Sequence, residues 1–210
     1  MSAGKLVAGV GLPGCGKSRL FEALEKLSGA QCFLEPEEGD WDRAVTGRDR
    51  YGHIGGLHWF RSQRVPHLVD SRHAADDGAT VLVDTFYDKV CSFYLGKPGM
   101  EWLLAPEDPY FANFLETARI DLERLPDADC LVSISVTEED WKMMLGSRGR
   151  RLDQMVKLSE TFATQSLFHD AARQYCSARG VRLIEFANVF STVDESARRL
   201  HSLLAQEGVL

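Results

Sequence analysis

The chain has 210 residues, of which 44% are hydrophobic and 26% are charged, a composition typical of a folded, water-soluble domain. This length fits one domain with a substantial core, and no repeat or low-complexity tract divides it. The net charge of −7 argues against a protein that binds nucleic acid non-specifically, because such binding needs a basic face.

The N-terminal segment and the cysteines indicate where the protein works. The first apolar run is short and broken by glycines, so we expect neither a signal peptide nor a membrane span. The five cysteines are widely spaced and form no C-x-x-C pair, which predicts free thiols rather than a zinc or redox motif. Free thiols are typical of a reducing compartment, and we therefore expect a cytoplasmic protein.

Apolar runs alternate with helical periods along the chain. Strands are predicted at 6–10, 31–34, 80–83, 130–136 and 182–186. Helices are predicted at 17–27, 51–75, 87–95, 111–125, 138–146, 154–178 and 192–205. Pro66 is expected to kink or break the second of these helices. The alternation predicts an α/β fold, with a five-stranded parallel sheet covered by helices on both faces, as a single domain over residues 1–210.

The segment after the first predicted strand matches the pattern G-x-x-x-x-G-K-[ST] in full and opens a predicted helix, which is the context this motif requires. The backbone N–H groups of such a loop point inward and bind phosphate oxygens, helped by the helix N-terminus. Lys17 is expected to reach the β- and γ-phosphates of ATP, and Ser18 to bind Mg²⁺, within a three-layer P-loop fold. The predicted nucleotide-binding residues are Gly11, Leu12, Pro13, Gly14, Cys15, Gly16, Lys17, Ser18 and Arg19.

Further segments resemble a known family. In chain order they are Glu35-Pro36 with Trp41, Asp84-Thr85-Phe86-Tyr87-Asp88, the stretch 125–129, and Arg148-Gly149-Arg150 with Asp153. Together with the P-loop they resemble the deoxynucleoside kinases and, more loosely, the thymidylate-kinase branch of nucleotide kinases. The resemblance covers most of the chain and departs from the family at Thr85, where the family has arginine, and at Asp153, where it has glutamate.

The resemblance implies a division of labour in phosphoryl transfer. Glu35 would be the general base that accepts the proton of the acceptor hydroxyl. Lys17, Arg148 and Arg150 would stabilise the charge on the transferred phosphoryl group, with the two arginines carried by a lid at about residues 146–153.

The metal and acceptor sites follow from the same resemblance. Asp84, at the end of a central strand beside the P-loop, would hold Mg²⁺ directly or through water. The expected acceptor contacts are Trp41, Arg61, Arg64 and Tyr87. Thr85 replaces an arginine that helps hold the substrate, which suggests an altered substrate, a relocated arginine or an inactive relative. Arg61 and Arg64 could supply that contact, or could equally be solvent-facing charges on a helix.

Several functions remain open at this level. The first is an ATP-dependent kinase that phosphorylates a hydroxyl of a nucleoside or a related small molecule. A nucleoside monophosphate kinase would need more cations, for which the chain offers Arg43, Arg48, Arg50, Arg61 and Arg64. A non-catalytic or regulatory ATP-binding protein is the alternative of another class. A GTPase would need an Asn-Lys-x-Asp motif, which the sequence lacks. A motor ATPase would have glutamate after Asp84, where this chain has Thr85. Both observations favour the kinase. The sequence does not identify the acceptor, and a homodimer remains open.

Overall fold

The computed structural model describes residues 4–36, 52–148 and 158–210. Its centre is a five-stranded, all-parallel sheet with the strand order β2-β3-β1-β4-β5. The strands are β1 (Lys5–Gly11), β2 (Gln31–Phe33), β3 (Thr80–Val83), β4 (Cys130–Ser135) and β5 (Arg182–Ala187). The predicted α/β fold with five parallel strands is confirmed.

Helices connect the strands, as the right-handed crossovers of a parallel sheet require. In the described ranges they are α1 (Lys17–Ser28), α2 (His53–Asp76), α3 (Tyr87–Val90), α4 (Phe111–Arg124), α5 (Glu138–Arg148), α6 (Leu158–Ala163), α7 (Gln165–Arg179) and α8 (Val193–Gln206). α1 packs against α8, whereas α2 packs against β3 and α7 against β4. None of these helices has the length and apolar composition needed to cross a bilayer.

The middle of the sheet forms the core. Leu6, Val7 and Ala8 of β1 are fully buried, as expected for a parallel strand covered on both faces. Gly9 allows α1 to approach this strand closely, because a Cβ atom at Gly9 would lie 2.8 Å from Cζ of Phe21. All five strands run in the same direction, so their carboxyl ends meet at one edge, where ligands bind in open α/β sheets.

Two helix predictions were wrong in their extent. The helix expected at 154–178 is two helices, and its first four positions lie outside the described residues. The chain turns at Thr164, whose N–H and hydroxyl both donate to the carbonyl of Thr161, at 3.1 and 2.7 Å. The helix expected at 87–95 ends at Val90 and continues as one 3₁₀ turn, Cys91–Phe93. At Thr164 a local side-chain hydrogen bond overrides the apolar periodicity.

Pro66 does not end α2, which is continuous for 24 residues. The side chain of Pro66 is exposed, while Leu68, Ser71 and Ala75 on the following turns are buried. Tertiary packing of that buried face stabilises the helix beyond the proline, as it does for most helices in proteins.

The five cysteines are free thiols, as predicted, and four of them are buried. Burial raises the pKa of Cys91, Cys130 and Cys176 to about 12, so these thiols stay protonated and unreactive.

A polar pair lies between β4 and α7. Nδ1 of His169 lies 2.6 Å from Oγ of Ser133, and its Nε2 is buried without a hydrogen-bond partner among the described residues. Burial, and then the charge of Arg173, lowers the pKa of His169 below its ordinary value of 6.5. The unfolded chain therefore binds a proton at this histidine more readily than the folded chain does.

This difference predicts how stability depends on pH. The contribution of His169 is present above its unfolded pKa and is lost as the pH falls through and below that value. The raised pKa of Asp84 acts in the opposite direction, so the contribution of His169 is read from a comparison of variants. We expect the free energy of unfolding, measured with urea at about pH 7.5 and pH 5.5, to change less favourably on acidification in the wild type than in His169→Gln. The exposed His73 supplies the control His73→Gln, which should keep the wild-type slope. Equal slopes in all three proteins would contradict this assignment.

Candidate active site

The P-loop joins β1 to α1 and has the backbone shape of a phosphate-binding loop. Gly14 and Gly16 have φ angles of 88° and 86°, in the left-handed region that favours glycine. Gly11 is needed for a different reason, because a Cβ there would lie 2.5 Å from the carbonyl oxygen of Ile134. The glycines of the motif are thus explained by the fold.

Lys17 is only 6% exposed and lies inside the loop. Its Nζ donates to the carbonyl oxygens of Gly11 and Leu12, each at 3.3 Å, and lies 5.1 Å from the ring centre of Tyr87. Burial lowers the pKa of Lys17, but attraction from its neighbours, among them the carboxylate of Glu35, outweighs burial and raises it. The loop therefore holds a permanent positive charge.

Two acids meet at the carboxyl ends of β2 and β3. The strands pair with Phe33 opposite Val83, so Glu35 and Asp84 follow at neighbouring strand ends. The backbone N–H of Glu35 donates to Oδ1 of Asp84 at 2.9 Å. Glu35 and Asp84, to which the resemblance gives roles in one site, therefore lie next to each other.

Asp84 is almost completely buried, at 1% exposure. Its Oδ2 has no hydrogen-bond partner among the described residues. Burial and then the charge of Glu35 raise the pKa of Asp84 to about 6, although Ser18 and Lys17 oppose the shift. A buried carboxylate oxygen without a donor, next to the hydroxyl of Ser18, is chemically suited to a hard cation.

Arg64 of α2 bridges Glu35 and Asp88. Its Nε and NH2 donate to the two oxygens of Asp88 at 2.6 and 3.0 Å, and its NH1 donates to Oε1 of Glu35 at 3.2 Å. The guanidinium also lies 5.7 Å from the ring centre of Tyr87. Arg64, predicted from sequence as an acceptor contact, thus lies beside Glu35 and is held there by a bidentate pair.

Arg61 lies one turn earlier on α2. Its Nε and NH2 donate to Asp121 of α4 at 2.6 and 2.7 Å, and Asp121 is 3% exposed. Neither Arg61 nor Arg64 is therefore a solvent-facing helix charge, since each is paired with a buried carboxylate.

Two further residues flank the acids. The hydroxyl of Tyr87 donates to the carbonyl oxygen of Gly11 at 2.6 Å, which links α3 to the end of β1. Thr85 is buried, and its Oγ1 has no hydrogen-bond partner in the part of the chain that the structure describes. A contact between Tyr87 and the acceptor stays a prediction.

A cleft lies beside the P-loop, next to Gly14 and Gly16. Its walls include Arg19 of α1 and Arg148 at the end of α5, both predicted from sequence as site residues. The remaining walls are Gly14, Gly16, Leu20, Met144, Ser147, the segment 188–191, Val193 and Ser196. Phe190 is 46% exposed at its rim. Several predicted site residues lie outside the described residues, namely Trp41, Arg150, most of the predicted lid and the arginines Arg43, Arg48 and Arg50.

The sequence alone gave no role to four side chains around the site, Asp88, Asp121, Trp141 and Asn188. Asp88 follows Asp84 closely and opens the helix after β3, a position that could have suggested a second acid facing the site. Asn188 comes directly after the last strand, at the same sheet edge as the P-loop, which is also a usable signal. Asp121 and Trp141 lie within helices, and no sequence pattern distinguishes them from core or surface residues.

A parallel sheet of this strand order, with a P-loop after β1 and acids after β2 and β3, defines a P-loop nucleotide-binding fold. No family model and no curated protein matches the sequence. Solved structures match over 95% of this chain or more. Deoxyadenosine kinase from M. mycoides with dCMP and dCDP has a TM-score of 0.67 at 12% identity, covering 96% of this chain and 99% of that chain.

The thymidylate kinase of Candida albicans has a TM-score of 0.60 at 14% identity, covering 100% of this chain and 95% of that chain. The deoxyadenosine kinase with bound dATP matches with a TM-score of 0.67 at 13% identity, covering 95% and 99%. The chain therefore has the fold of the deoxynucleoside and thymidylate kinase structures, as the sequence resemblance implied. At sequence identities of 12–14%, this structural similarity establishes the fold alone.

Proposed function

We propose that the protein is an ATP-dependent phosphotransferase that moves the γ-phosphoryl group to a hydroxyl of a nucleoside or a related small molecule. The observation that carries this proposal is the grouping of Glu35, Arg64 and Asp84 at the strand ends beside Lys17 of the P-loop. It combines an acid that can accept a proton with a cation that attracts phosphate, and phosphoryl transfer needs both.

Glu35 is proposed as the general base. Its carboxylate is partly exposed, at 26%, so an acceptor can reach it, while Arg64 fixes its direction. Lys17 would hold the β- and γ-phosphates, and Arg148 with Arg150 would stabilise charge on the group in transfer. We also propose that Arg64 takes the place of the arginine that the family has at the position of Thr85. Arg64 lies on α2 rather than after β3, and its guanidinium lies beside Glu35, the proposed base.

Mg²⁺ is proposed at Ser18 and Asp84. The unpartnered Oδ2 of Asp84 and the hydroxyl of Ser18 are oxygen ligands, and the described residues contain no cluster of three or more His, Cys, Asp or Glu side chains for a metal. This fits Mg²⁺, which proteins bind through one or two side chains and the substrate phosphates. The ion would neutralise charge between the β- and γ-phosphates.

Within the part of the chain that the structure describes, the charges around the proposed base favour a nucleoside over a nucleoside monophosphate as acceptor. Arg64 is shared by Asp88 and Glu35, and Arg61 is neutralised by Asp121, so each of these two arginines already has a carboxylate partner. An acceptor phosphate would have to compete with these bidentate pairs. The free thiols support the further proposal of a reducing, cytoplasmic location.

The test compares each nucleoside with its own 5′-monophosphate as acceptor. We expect a nucleoside to stimulate ADP formation in the presence of Mg²⁺, with a kcat/KM at least about tenfold higher than that of its monophosphate. The reverse preference would identify a monophosphate kinase. Binding of ATP without stimulation by any acceptor would favour the regulatory alternative.

A further inference from the structure

The P-loop creates a hydrogen-bonding requirement on its outer side. For its N–H groups to converge on phosphate, several of its carbonyl groups must point away from the ligand. A buried carbonyl without a donor is unfavourable, so the rest of the protein must supply donors. The side chains that donate to these carbonyls therefore help to fix the shape of the loop.

Trp141 of α5 supplies the first donor. Its Nε1 donates to the carbonyl oxygen of Pro13 at 2.9 Å, and the side chain is 1% exposed. On the next turn of α5, Leu145 packs on Gly14 so closely that a Cβ at Gly14 would lie 2.5 Å from its Cδ2. The middle of the loop therefore rests on one face of α5.

Asn188, which follows β5, supplies the second donor. Its Nδ2 donates to the carbonyl oxygen of Cys15 at 2.9 Å, and the residue is 5% exposed. Its backbone N–H donates to Ser135 at 2.8 Å, and its Oδ1 accepts from the N–H of Val189 at 3.1 Å. These bonds fix the direction of the amide, so its NH₂ group faces the loop.

The two donors belong to elements that are themselves connected. Oδ1 of Asp140, the residue before Trp141, accepts from the backbone N–H of Phe190 at 2.9 Å. α5 and the segment after β5 thus contact each other as well as the loop carbonyls on either side of Gly14, those of Pro13 and Cys15. α5 also ends at Arg148, so the same helix supports the loop and carries a proposed catalytic arginine.

We propose that Trp141 and Asn188 are positioning residues that hold the P-loop in its phosphate-binding shape. The inference rests on the nucleotide site of the proposed function, and not on the identity of the acceptor. It predicts that loss of either donor weakens binding of the phosphate chain itself, whatever base is attached to it.

Trp141→Phe tests the first donor, because phenylalanine keeps an aromatic ring and lacks the indole N–H. Trp102→Phe is the matched control, since the indole N–H of Trp102 is buried with no acceptor among the described residues. Calorimetric titration with inorganic tripolyphosphate and with Mg·ATP should give a Kd raised by about tenfold for Trp141→Phe. Trp102→Phe should stay within about twofold of wild type, the change expected when no hydrogen bond is lost.

Two more measurements distinguish positioning from general stability. Binding of tripolyphosphate should change the indole emission of the wild type and of Trp102→Phe, and Trp141→Phe should lose that change. Asn188→Leu, which keeps the side-chain size without the donor, should raise the Kd for tripolyphosphate by a similar factor, and it decides the question if Trp141→Phe does not fold.

The outcomes separate this inference from the proposed function. Wild-type protein that binds neither tripolyphosphate nor Mg·ATP would overturn both. Wild-type protein that binds both ligands, with unchanged Kd values in Trp141→Phe and Asn188→Leu, would overturn the positioning role alone. A Kd raised equally by Trp141→Phe and Trp102→Phe would also overturn it, because the effect would then follow from lost aromatic packing.

Discussion

Replacing Lys17 with alanine is expected to abolish productive ATP binding and to lower turnover by at least about a thousandfold. Lys17 is the buried cation of the P-loop, and its neighbours keep it protonated. Without it, the charge on the β- and γ-phosphates loses a partner inside a site where water does not compensate. Mg²⁺-dependent ATP turnover and the Kd for Mg·ATP measure the loss.

The Lys17→Ala protein should still fold, which makes the test decisive. The carbonyl of Gly11 keeps its bond from Tyr87, and that of Leu12 keeps its bond from the N–H of Cys15. Lys26→Ala, on the exposed face of the same helix, is the control and should behave as wild type, because its ion pair with Glu22 is solvent-exposed. Wild-type turnover in Lys17→Ala would remove the P-loop assignment.

Replacing Glu35 with glutamine is expected to leave nucleotide binding intact and to lower turnover by about a hundredfold or more. Glutamine keeps the size of the side chain, but its amide does not accept a proton from the acceptor hydroxyl. The backbone bond from position 35 to Asp84 is retained, and Arg64 keeps both bonds to Asp88. The site should therefore keep its shape and lose only the base.

Comparison of kcat with the Kd for Mg·ATP distinguishes this from a structural effect. We expect kcat to fall in Glu35→Gln while the Kd stays within about twofold of wild type, since the nucleotide is held by other residues. The exposed Glu22 of α1 provides Glu22→Gln as a control for the change of charge, and it should match wild type in both quantities. An unchanged kcat in Glu35→Gln would mean that another group accepts the proton.

The parts of the site that sequence could predict are those determined by local spacing. The P-loop is a contiguous motif, and its glycines are required by backbone angles and close contacts that any such loop shares. Glu35 and Asp84 could be paired because parallel strands bring their carboxyl ends to one edge. The sheet itself followed from short apolar runs alternating with helical periods.

The parts that sequence could not supply depend on contacts between distant segments. Arg61 and Asp121 are 60 positions apart, and nothing in α2 or α4 alone indicates that they form a bidentate pair. From sequence, Trp141 is indistinguishable from an ordinary core residue. Its hydrogen bond to the carbonyl of Pro13 joins two distant segments, and no local pattern indicates it. The hydroxyl of Thr164 donates to the carbonyl of Thr161 and ends a helix there. The spacing of apolar residues does not indicate such a side-chain hydrogen bond.

The most direct test of the proposed phosphotransferase is to follow the γ-phosphoryl group of labelled ATP in the presence of Mg²⁺ and a panel of nucleosides and nucleoside monophosphates. We expect the label to move to one acceptor, with ADP formed in equal amount, and both Lys17→Ala and Glu35→Gln to slow this transfer by about a hundredfold or more. Label that stays in ATP, or that appears only as inorganic phosphate with every acceptor, would contradict it.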